Sequence, residues 1–495
     1  MKEYLLTIDQ GTTGTTVLCI DSQGAIRGRA YAAHTQYYPR PGWVEHDPDE
    51  IMRAVETTAA GAMQSAGINP NDLIGVGIAN QRETVALWDA RTGAPVDRAI
   101  VWQCRRTTEV VSRMRDEGLE PQIRAKTGLL LDPYFSAAKI SWLLDAAPGR
   151  REAAERGEIL AGTIDSWLAW KLSGAAAHVT DTTNASRTSL MNLETGDWDD
   201  ELLEWFRVPR ACLPKILPSA GMIAPIRQGP LQGASITGMA GDQQAALFGH
   251  RCCSAGQAKN TYGTGCFLLV HTGPDLRIRD DAILTTAACG RRGQKEYAWE
   301  GSVFAAGAVV QWLRDEVGII NTAGESEALA RQVPDSGGVV MVPAFTGLGA
   351  PYWDPNARAA VLGLTRGSNR THLARAALNS IALQTVDLVQ AITADGAIEI
   401  DALNVDGGAT ENDLLMQIQA DLLNLPVLRA QQRETTALGA AFLAGIGAGH
   451  WSGIEEIPPA QPPDRFDPQM PEPERRAALD RWRSAVQAVR LFGNR

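Results

Sequence analysis

A single carboxylate stands directly before a turn of glycine and threonine near the start of the chain, in the stretch LTIDQGTTGTTVLCID at residues 6–21. Glycine lets backbone N–H groups converge and threonine adds small hydroxyl donors, so the turn at 11–16 can form a nest for an anion such as phosphate. Asp9 at the mouth of the turn is suited to Mg²⁺, which prefers oxygen ligands and keeps several waters. Taken alone, the stretch also suits a plain β-hairpin with glycine in its turn.

Two later glycine features resemble this arrangement. Residues 258–272, AKNTYGTGCFLLVHT, have a polar start, a Gly-Thr-Gly turn and an apolar strand. Residues 405–412, VDGGATEN, follow a predicted strand and open a predicted helix, where an anion or a nucleotide edge often binds. Asn412 is equally suited to cap that helix. Because the sequence has no Gly-Lys pair, the lysine-containing phosphate loop is excluded.

The elements around these turns predict a mixed α/β protein with an internal duplication. Strand-like apolar runs alternate with helical patterns, and each half begins with a strand, a Gly/Thr turn and a second strand. A chain of 495 residues is too long for one ordinary core, so two large domains are expected. The tail is proline-rich and then shows the pattern of a short amphipathic helix, to which we assign no chemistry.

Composition and charge argue against several classes of protein. The net charge of −11 at pH 7 disfavours nucleic acid or an anionic membrane as the main partner. The N-terminal residues lack a signal-peptide pattern, and glycines interrupt the longest uncharged run, residues 435–454, so a buried helix and loop are expected instead of a membrane span. Seven cysteines without regular spacing predict a reduced, cytoplasmic protein without structural zinc.

Eight motifs occur in an order that resembles the FGGY carbohydrate kinase family, over nearly the whole chain. They are DQGTT (9–13), NQRET (80–84), VWQCRR (101–106), DPYFS (132–136), AGDQQAALFG (240–249), NTYGTGCF (260–267), FTGLGAPYWDP (345–355) and VDGGA (405–409).

The resemblance implies two ribonuclease H-like domains of the actin/Hsp70/hexokinase type, with ATP in the cleft between them. The domains expected are 1–250 on the glycerol and phosphate side, 251–455 on the nucleotide side, and 456–495 as a linker and C-terminal helix. The activity implied is transfer of a phosphoryl group from Mg²⁺-ATP to glycerol, which gives sn-glycerol 3-phosphate. Two or four copies of the chain are expected to assemble, as is common in the family.

For catalysis, the resemblance points to Asp242 as the base that takes a proton from a terminal glycerol hydroxyl. Phosphoryl transfer needs such a base, a metal, and donors around the moving group. Asp242 lies between a predicted strand and an apolar helix, where aspartate is also a common N-cap, and the two roles are compatible.

The implied glycerol pocket combines polar partners for the hydroxyls with apolar walls for the C–H face. The polar partners are Arg82, Glu83, Tyr134, Asp242 and Gln243, and the walls are Trp102 and Phe267. Without the resemblance, Arg82 and Glu83 suit a surface salt bridge, Trp102 a core aromatic, and Tyr134 a loop anchor.

The resemblance also implies a nucleotide site and its metal. The terminal phosphates are assigned to Thr12, Thr13 and Gly14, with Thr264 across from them, and the adenosine side to Gly307, Gln311, Gly408 and Asn412. Glycine suits 307 and 408 because a flat ring needs close backbone approach, although Gly307 also suits tight helix packing. The expected Mg²⁺ ligands are Asp9, through water, and Asp242.

At the first turn the chain departs from the family pattern. Many members have a serine and then, after one residue, an arginine that contacts a nucleotide phosphate, whereas this chain has Gly14 and Thr16. A charge-assisted hydrogen bond stabilises by about 1.5–3 kcal/mol and a neutral one by about 0.5–1.5 kcal/mol. We therefore expect weaker nucleotide binding or compensation by another basic residue, without loss of activity.

Two controls known in some bacterial members are not expected here. One is a glycine-rich loop with Lys and Arg that binds fructose 1,6-bisphosphate; the matching stretch, residues 224–238, has only Arg227. The other is a phosphorylated histidine, and residues 222–249 contain no histidine.

Two other functions compete with phosphorylation of glycerol. A pentulose kinase of the same family would share the fold, but the bulky wall of Trp102 favours the smaller triol. A non-catalytic nucleotide switch of the actin or Hsp70 kind would need polymer contacts or a peptide-binding domain, for which we expect no module. It would also leave Arg82, Glu83 and Asp242 unused.

Overall fold

The computed structural model of this protein describes residues 3–290 and 294–493. The strands are β1 (Tyr4–Gln10), β2 (Gly14–Asp21), β3 (Ile26–Ala33), β4 (Glu45–His46), β5 (Leu73–Asn80), β6 (Val85–Asp89), β7 (Ala99–Ile100), β8 (Ile159–Thr163), β9 (Val179–Asp181), β10 (Met191–Asn192), β11 (Asp197–Trp198), β12 (Lys215–Leu217), β13 (Ala220–Pro225), β14 (Ser235–Gly241), β15 (Ala258–Tyr262), β16 (Cys266–Gly273), β17 (Leu284–Ala288), β18 (Glu296–Val303), β19 (Val340–Val342), β20 (Ala360–Leu362), β21 (Leu403–Asp406), β22 (Val427–Arg429) and β23 (Asp464–Phe466). The helices are α1 (Pro48–Ala66), α2 (Thr108–Asp116), α3 (Glu120–Thr127), α4 (Ser136–Asp145), α5 (Arg150–Glu155), α6 (Ile164–Leu172), α7 (Thr182–Ala185), α8 (Asp200–Trp205), α9 (Asp242–Gly249), α10 (Gly307–Asp315), α11 (Glu325–Ala330), α12 (Arg370–Thr393), α13 (Asp413–Leu423), α14 (Thr435–Gly447) and α15 (Glu472–Gly493).

The first sheet has the strand order β13-β14-β5-β1-β2-β3. Strands β1, β2 and β3 are antiparallel neighbours, and β5 and β14 continue the sheet in parallel on the other side of β1. Helix α1 covers one face with Ile51, Val55 and Ala59, which recur at helical spacing and are buried. Asp47 caps this helix and Pro48 occupies its first position, which explains where it begins.

The second sheet, β17-β18-β16-β15-β21-β22-β23, repeats this pattern. Strands β15, β16 and β18 are antiparallel neighbours, and β21 and β22 continue in parallel beside β15. The predicted α/β fold with an internal duplication is therefore confirmed. The described residues also form smaller sheets, among them β4-β7-β6-β8.

The parallel strands of the first sheet end at one edge. Gln10, Asn80 and Gly241 are lateral neighbours at the carboxyl ends of β1, β5 and β14. From this edge the chain continues into the turn at 11–13, the loop at 81–84 and helix α9. Three motifs that are far apart in sequence therefore lie side by side.

Helix α14 follows the parallel strands of the second sheet in sequence but packs on the first sheet. A Cβ added at Gly77 in β5 would lie 2.2 Å from the carbonyl oxygen of Ala440, and one added at Gly238 in β14 would lie 2.4 Å from the amide nitrogen of Ala444. The helix backbone thus rests directly on the strands. The predicted domain bounds remain a prediction.

Two predicted elements have different lengths in the structure. The apolar run at 99–104 suggests a strand, but β7 has only two residues, because the chain turns with the Cys104 N–H bonded to the Val101 carbonyl at 2.9 Å. The C-terminal helix α15 has 22 residues, longer than the short helix expected, and buries Leu479 and Trp482.

The long uncharged run forms the buried helix α14 and a following loop, as predicted. No helix within residues 3–290 or 294–493 combines the length and the apolar character needed to cross a lipid bilayer.

Gly77→Ala should lower the thermal stability of the protein, because the new methyl group collides with the backbone of α14. Overpacking of this kind costs about 1–3 kcal/mol. Thermal unfolding followed by circular dichroism measures the effect. Gly324→Ala is the matched control, since a Cβ there meets no atom within 4 Å and φ is −63°. Equal melting temperatures for Gly77→Ala and the wild type would contradict the packing described.

Candidate active site

The first Gly/Thr turn is fixed by amide groups from outside the hairpin. The Gly11 N–H donates to the Gly14 carbonyl at 2.9 Å. Gln36 Nε2 donates to the Thr12 carbonyl at 2.7 Å, and Gln81 Nε2 donates to the Gly11 carbonyl at 3.2 Å. These bonds engage the turn's carbonyl groups and hold its backbone in one conformation, which suits a preformed anion nest.

Asp9 lies at the end of β1, directly before this turn, and is affected by the charges of two other acidic residues. Burial, followed by the charges of Asp242 and Glu434, raises the pKa of the Asp9 carboxyl to about 8. Within the described residues, no donor forms a hydrogen bond with its carboxylate. A carboxylate whose ionisation is opposed by burial and by like charges is stabilised by a divalent cation. No cluster of three or more His, Cys, Asp or Glu side chains placed to hold a metal ion occurs in the described part of the chain.

The second turn, around Thr264, is closed by the start of α10. The Gly307 N–H donates to the Gly263 carbonyl at 3.0 Å, and a Cβ at 307 would lie 2.6 Å from that oxygen. Glycine is needed at 307 because the backbone of the second turn packs against it. The alternative of tight packing between two helices is therefore not what the structure has at this position. Gly407 has φ +92°, and a Cβ there would lie 2.5 Å from the Tyr262 carbonyl, so the turn after β21 packs beside the second hairpin.

Of the other predicted adenosine-side residues, Gly408 is the most open. A Cβ at 408 would meet nothing within 4 Å, so a ligand can approach its backbone. Asn412 caps α13, its side-chain oxygen accepting from the Leu415 N–H at 2.9 Å. Gln311 is exposed on α10, one turn after Gly307.

Aromatic side chains connect the two turns. Trp102 Nε1 donates to Thr12 Oγ1 at 2.9 Å, so this wall residue is bonded to the first turn. Its ring meets Tyr134 and Phe267 edge to face, with centroids 5.5 and 6.3 Å away. Phe267 lies on β16, three residues after Thr264 of the second turn. We infer that one cleft is lined by the two Gly/Thr turns and by the three aromatic residues predicted for the site.

Arg82 and Glu83 lie in the interior and are not a surface salt bridge. Both arginine Nη atoms bind Glu300, at 2.5 and 3.1 Å, while Arg82 Nε lies 3.3 Å from Asp242 Oδ1. Glu83 Oε1 accepts from Arg187 Nε at 2.6 Å. Glu83 also has φ +61°, an uncommon conformation for glutamate, and such outliers concentrate at functional sites.

Arg187 and Glu300 complete this cluster, and the sequence analysis missed both. Arg187 Nη2 donates to Glu300 Oε1 at 3.0 Å, and both side chains are fully buried. Burial opposes ionisation of Glu300, but the charges of Arg187 and Arg82 lower its pKa to about 2. One available signal was the position of Glu300, directly after the apolar residues 297–299 of β18. No signal in the single sequence pointed to Arg187.

Lys259 is a third residue that sequence analysis missed. It lies in β15, is fully buried, and donates to Gln243 Oε1, to Thr261 Oγ1 at 2.9 Å and to the Phe267 carbonyl at 3.3 Å. Burial lowers its pKa to about 8, although the charges of Asp406 and Asp242 act in the opposite direction. Lys259 therefore joins Gln243 to Phe267, two residues predicted to bind substrate.

Asp242 lies where these groups meet. It is the first residue of α9, directly after β14, and its Oδ1 accepts from the Gln243 N–H at 2.7 Å. Its side chain keeps 28% of its surface exposed, whereas Arg82, which lies 3.3 Å away, has 2%. The carboxylate is thus held in place by a buried cation and remains accessible to a ligand.

The duplicated sheets, each with a Gly/Thr turn at its edge, define a protein of the actin/Hsp70/hexokinase-like ATPase class. Residues 4–249 match the N-terminal domain of the FGGY family of carbohydrate kinases, and residues 258–448 match its C-terminal domain. The chain belongs to this family.

Named relatives narrow the comparison. A glycerol kinase of Aromatoleum aromaticum is 54% identical over 98% of this chain and 99% of that protein, and one of Acidovorax ebreus is 52% identical over 99% and 100%. The structure of Plasmodium falciparum glycerol kinase with ADP is similar with a TM-score of 0.91 and 33% identity over 98% of both chains. A xylulose kinase of Lactobacillus acidophilus, with a TM-score of 0.87 and 23% identity over 99% of this chain and 98% of that one, shares the fold.

Glu300→Gln should destabilise the protein strongly. Two buried guanidinium groups would lose their shared counter-ion, and removing one partner of a buried ion pair costs about 3–5 kcal/mol. Urea unfolding followed by tryptophan fluorescence measures the loss. Glu117→Gln is the control, because its pair with Arg113 is exposed and such pairs contribute less than about 1 kcal/mol. Similar unfolding curves for the two variants would contradict the importance of the cluster.

Trp102→Ala should raise the KM for the polyol, since loss of an apolar wall costs about 1–3 kcal/mol, or about 10–200-fold. Trp102→Phe keeps the wall but loses the hydrogen bond to Thr12, so it should affect the nucleotide KM more than the polyol KM. Steady-state kinetics with each substrate varied distinguishes the two effects. An unchanged polyol KM in Trp102→Ala would contradict the wall assignment.

Proposed function

We propose that this chain transfers the terminal phosphoryl group of ATP to glycerol, giving ADP and sn-glycerol 3-phosphate. The observation that carries the proposal is the 2.9 Å hydrogen bond from Trp102 to Thr12, because it joins an aromatic wall to a phosphate turn. A small polyol against that wall lies next to the terminal phosphate. The glycerol kinases with 52–54% identity over nearly the whole chain support the same activity.

Asp242 acts as the general base in this proposal. Its partly exposed carboxylate accepts the proton of a terminal hydroxyl as that oxygen attacks the phosphoryl group. Arg82, fixed by Glu300, keeps the carboxylate oriented. The remaining polyol hydroxyls meet Arg82, Glu83, Tyr134 and Gln243.

ATP lies between the two turns, with its terminal phosphates at Thr12, Thr13, Gly14 and Thr264, and its adenosine near Gly307, Gln311, Gly408 and Asn412. Asp9 and Asp242 would hold Mg²⁺, which when bound neutralises phosphate charge. Closure of the two halves around both substrates would exclude water and limit wasteful hydrolysis of ATP.

The pentulose alternative is disfavoured by the space available. The Trp102 ring meets both Tyr134 and Phe267 edge to face, and this bulky aromatic wall favours a triol over a larger sugar. We further expect the protein to be located in the cytoplasm and to assemble into dimers or tetramers. The expected domain bounds are 1–250, 251–455 and 456–495.

A substrate panel tests the proposal directly. ADP release is measured with Mg²⁺-ATP and glycerol, dihydroxyacetone, xylulose, ribulose or no acceptor. Release should be highest with glycerol and near zero without acceptor. Preference for a pentulose would overturn the pocket argument, and acceptor-independent hydrolysis alone would favour a nucleotide switch.

Asp242→Asn should keep ATP and glycerol binding but lower kcat by about 10²–10⁴-fold, because an amide cannot accept the proton. Calorimetry measures binding and coupled assays measure kcat. Asp200→Asn is the control, since that side chain is 89% exposed on α8. A kcat near the wild-type value would exclude Asp242 as the base.

A further inference from the structure

Tyr31 lies against the first phosphate turn at the place where this chain departs from the family pattern. A Cβ added at Gly14 would lie 2.5 Å from the Tyr31 hydroxyl oxygen and 2.7 Å from a ring carbon. The ring therefore covers the Cα of Gly14 and needs glycine there. Despite this contact, 54% of the Tyr31 surface is exposed.

Strand register places Tyr31 on the same face of the sheet as Asp9. Asp9 pairs with Thr16 across β1 and β2, and Thr16 pairs with Tyr31 across β2 and β3. Directly opposed residues point to the same face, so these three side chains form one row. Gly14, two residues before Thr16, also belongs to this face. The Tyr31 side chain thus extends from this row along β2 and reaches Gly14 at the start of that strand.

Basic residues on β3 are engaged elsewhere. Arg29, on the same face as Tyr31, lies 3.1 Å from Glu434 in an ion pair. Arg27 pairs with Asp21 at 2.7 Å, at the far end of the hairpin. On β3, therefore, neither arginine replaces the phosphate-binding arginine that many family members have at position 16. Instead, the Tyr31 hydroxyl, a neutral donor, lies over the turn.

We propose that the Tyr31 hydroxyl donates a hydrogen bond to the phosphate chain of the bound nucleotide, in place of the arginine that many family members have at position 16. The inference rests on the proposed function in that it takes the first turn as the phosphate site. Gly14, Thr16 and Tyr31 then form one coupled set: glycine makes room for the ring, and the short threonine leaves the space that an arginine would fill.

Nucleotide binding to the full chain tests this role. Isothermal titration calorimetry with Mg²⁺-ADP, Mg²⁺-ATP and adenosine is done on Tyr31→Phe, which keeps the ring on Gly14 and removes only the hydroxyl. The Kd for ADP, for ATP or for both should rise about 10-fold, as for loss of one hydrogen bond to a charged acceptor. The Kd for adenosine should not change, because adenosine has no phosphate.

Tyr38→Phe is the matched control, since Tyr38 lies in the segment after β3 and is 69% exposed. It should bind all three ligands as the wild type does. If Tyr31→Phe binds both ADP and ATP as the wild type does, the ring only packs on the turn and the proposal is overturned. An equal loss for adenosine would also overturn it, because the effect would then not involve phosphate.

Failure of this inference is distinguishable from failure of the proposed function. If wild-type protein shows glycerol-dependent ADP release while Tyr31→Phe binds nucleotide normally, only the role of Tyr31 is wrong. If the wild type binds ADP more tightly than Tyr31→Phe does but phosphorylates no glycerol, the phosphate contact stands and the acceptor assignment is wrong.

Discussion

The buried pairing of Arg82 and Arg187 with Glu300 is the interaction on which the candidate active site depends. Both arginines come from the first half of the chain and Glu300 from the second sheet, so the charges are matched only when the halves are assembled. Burying an unpaired charge costs several kcal/mol, which makes this assembly specific. With Glu300 in place, Arg82 is fixed beside Asp242 and Arg187 beside Glu83. Two of the side chains proposed to contact the substrate, Glu83 and Asp242, are thereby held in defined orientations.

The second constraint is the shared edge of the parallel strands. Because β1, β5 and β14 end together, the phosphate turn, the Arg82–Glu83 loop and Asp242 emerge as neighbours. The same arrangement in the second sheet brings the turn at Thr264 beside the loop after β21. Helix α14 adds the close contact of its backbone with the first sheet, which its small residues and the strand glycines permit. One fold used twice thus supplies two turns that border one space.

A phosphate site without lysine must take its positive charge from a source other than the loop that binds the phosphate. In the proposed site the turn would contribute backbone N–H groups and threonine hydroxyls. Cationic charge would come with a metal held at Asp9 and Asp242; burial and then the charge of Asp242 raise the pKa of Asp9, and a cation would offset both effects. When a metal supplies the positive charge, a neutral donor such as the Tyr31 hydroxyl on β3 can serve as a phosphate ligand beside the turn. Tyr31 lies so close to Gly14 that the residue tolerated at this position of the hairpin depends on the neighbouring strand.

The sequence by itself determined the α/β class, the duplication, the Gly/Thr turns and the family, because these depend on local periodicity and on motifs in order. Through resemblance it also predicted a set of candidate site residues. It did not identify Glu300, Arg187 or Lys259, since the role of a buried charged residue depends on its partners. Among those partners are Gln243 for Lys259, Glu83 for Arg187 and Arg82 for Glu300, which lie 16, 104 and 218 positions away in the sequence. Register decided that Tyr31 lies over Gly14. Only tertiary structure brings such residues into contact, because pairing across sheets and halves depends on how the whole chain packs.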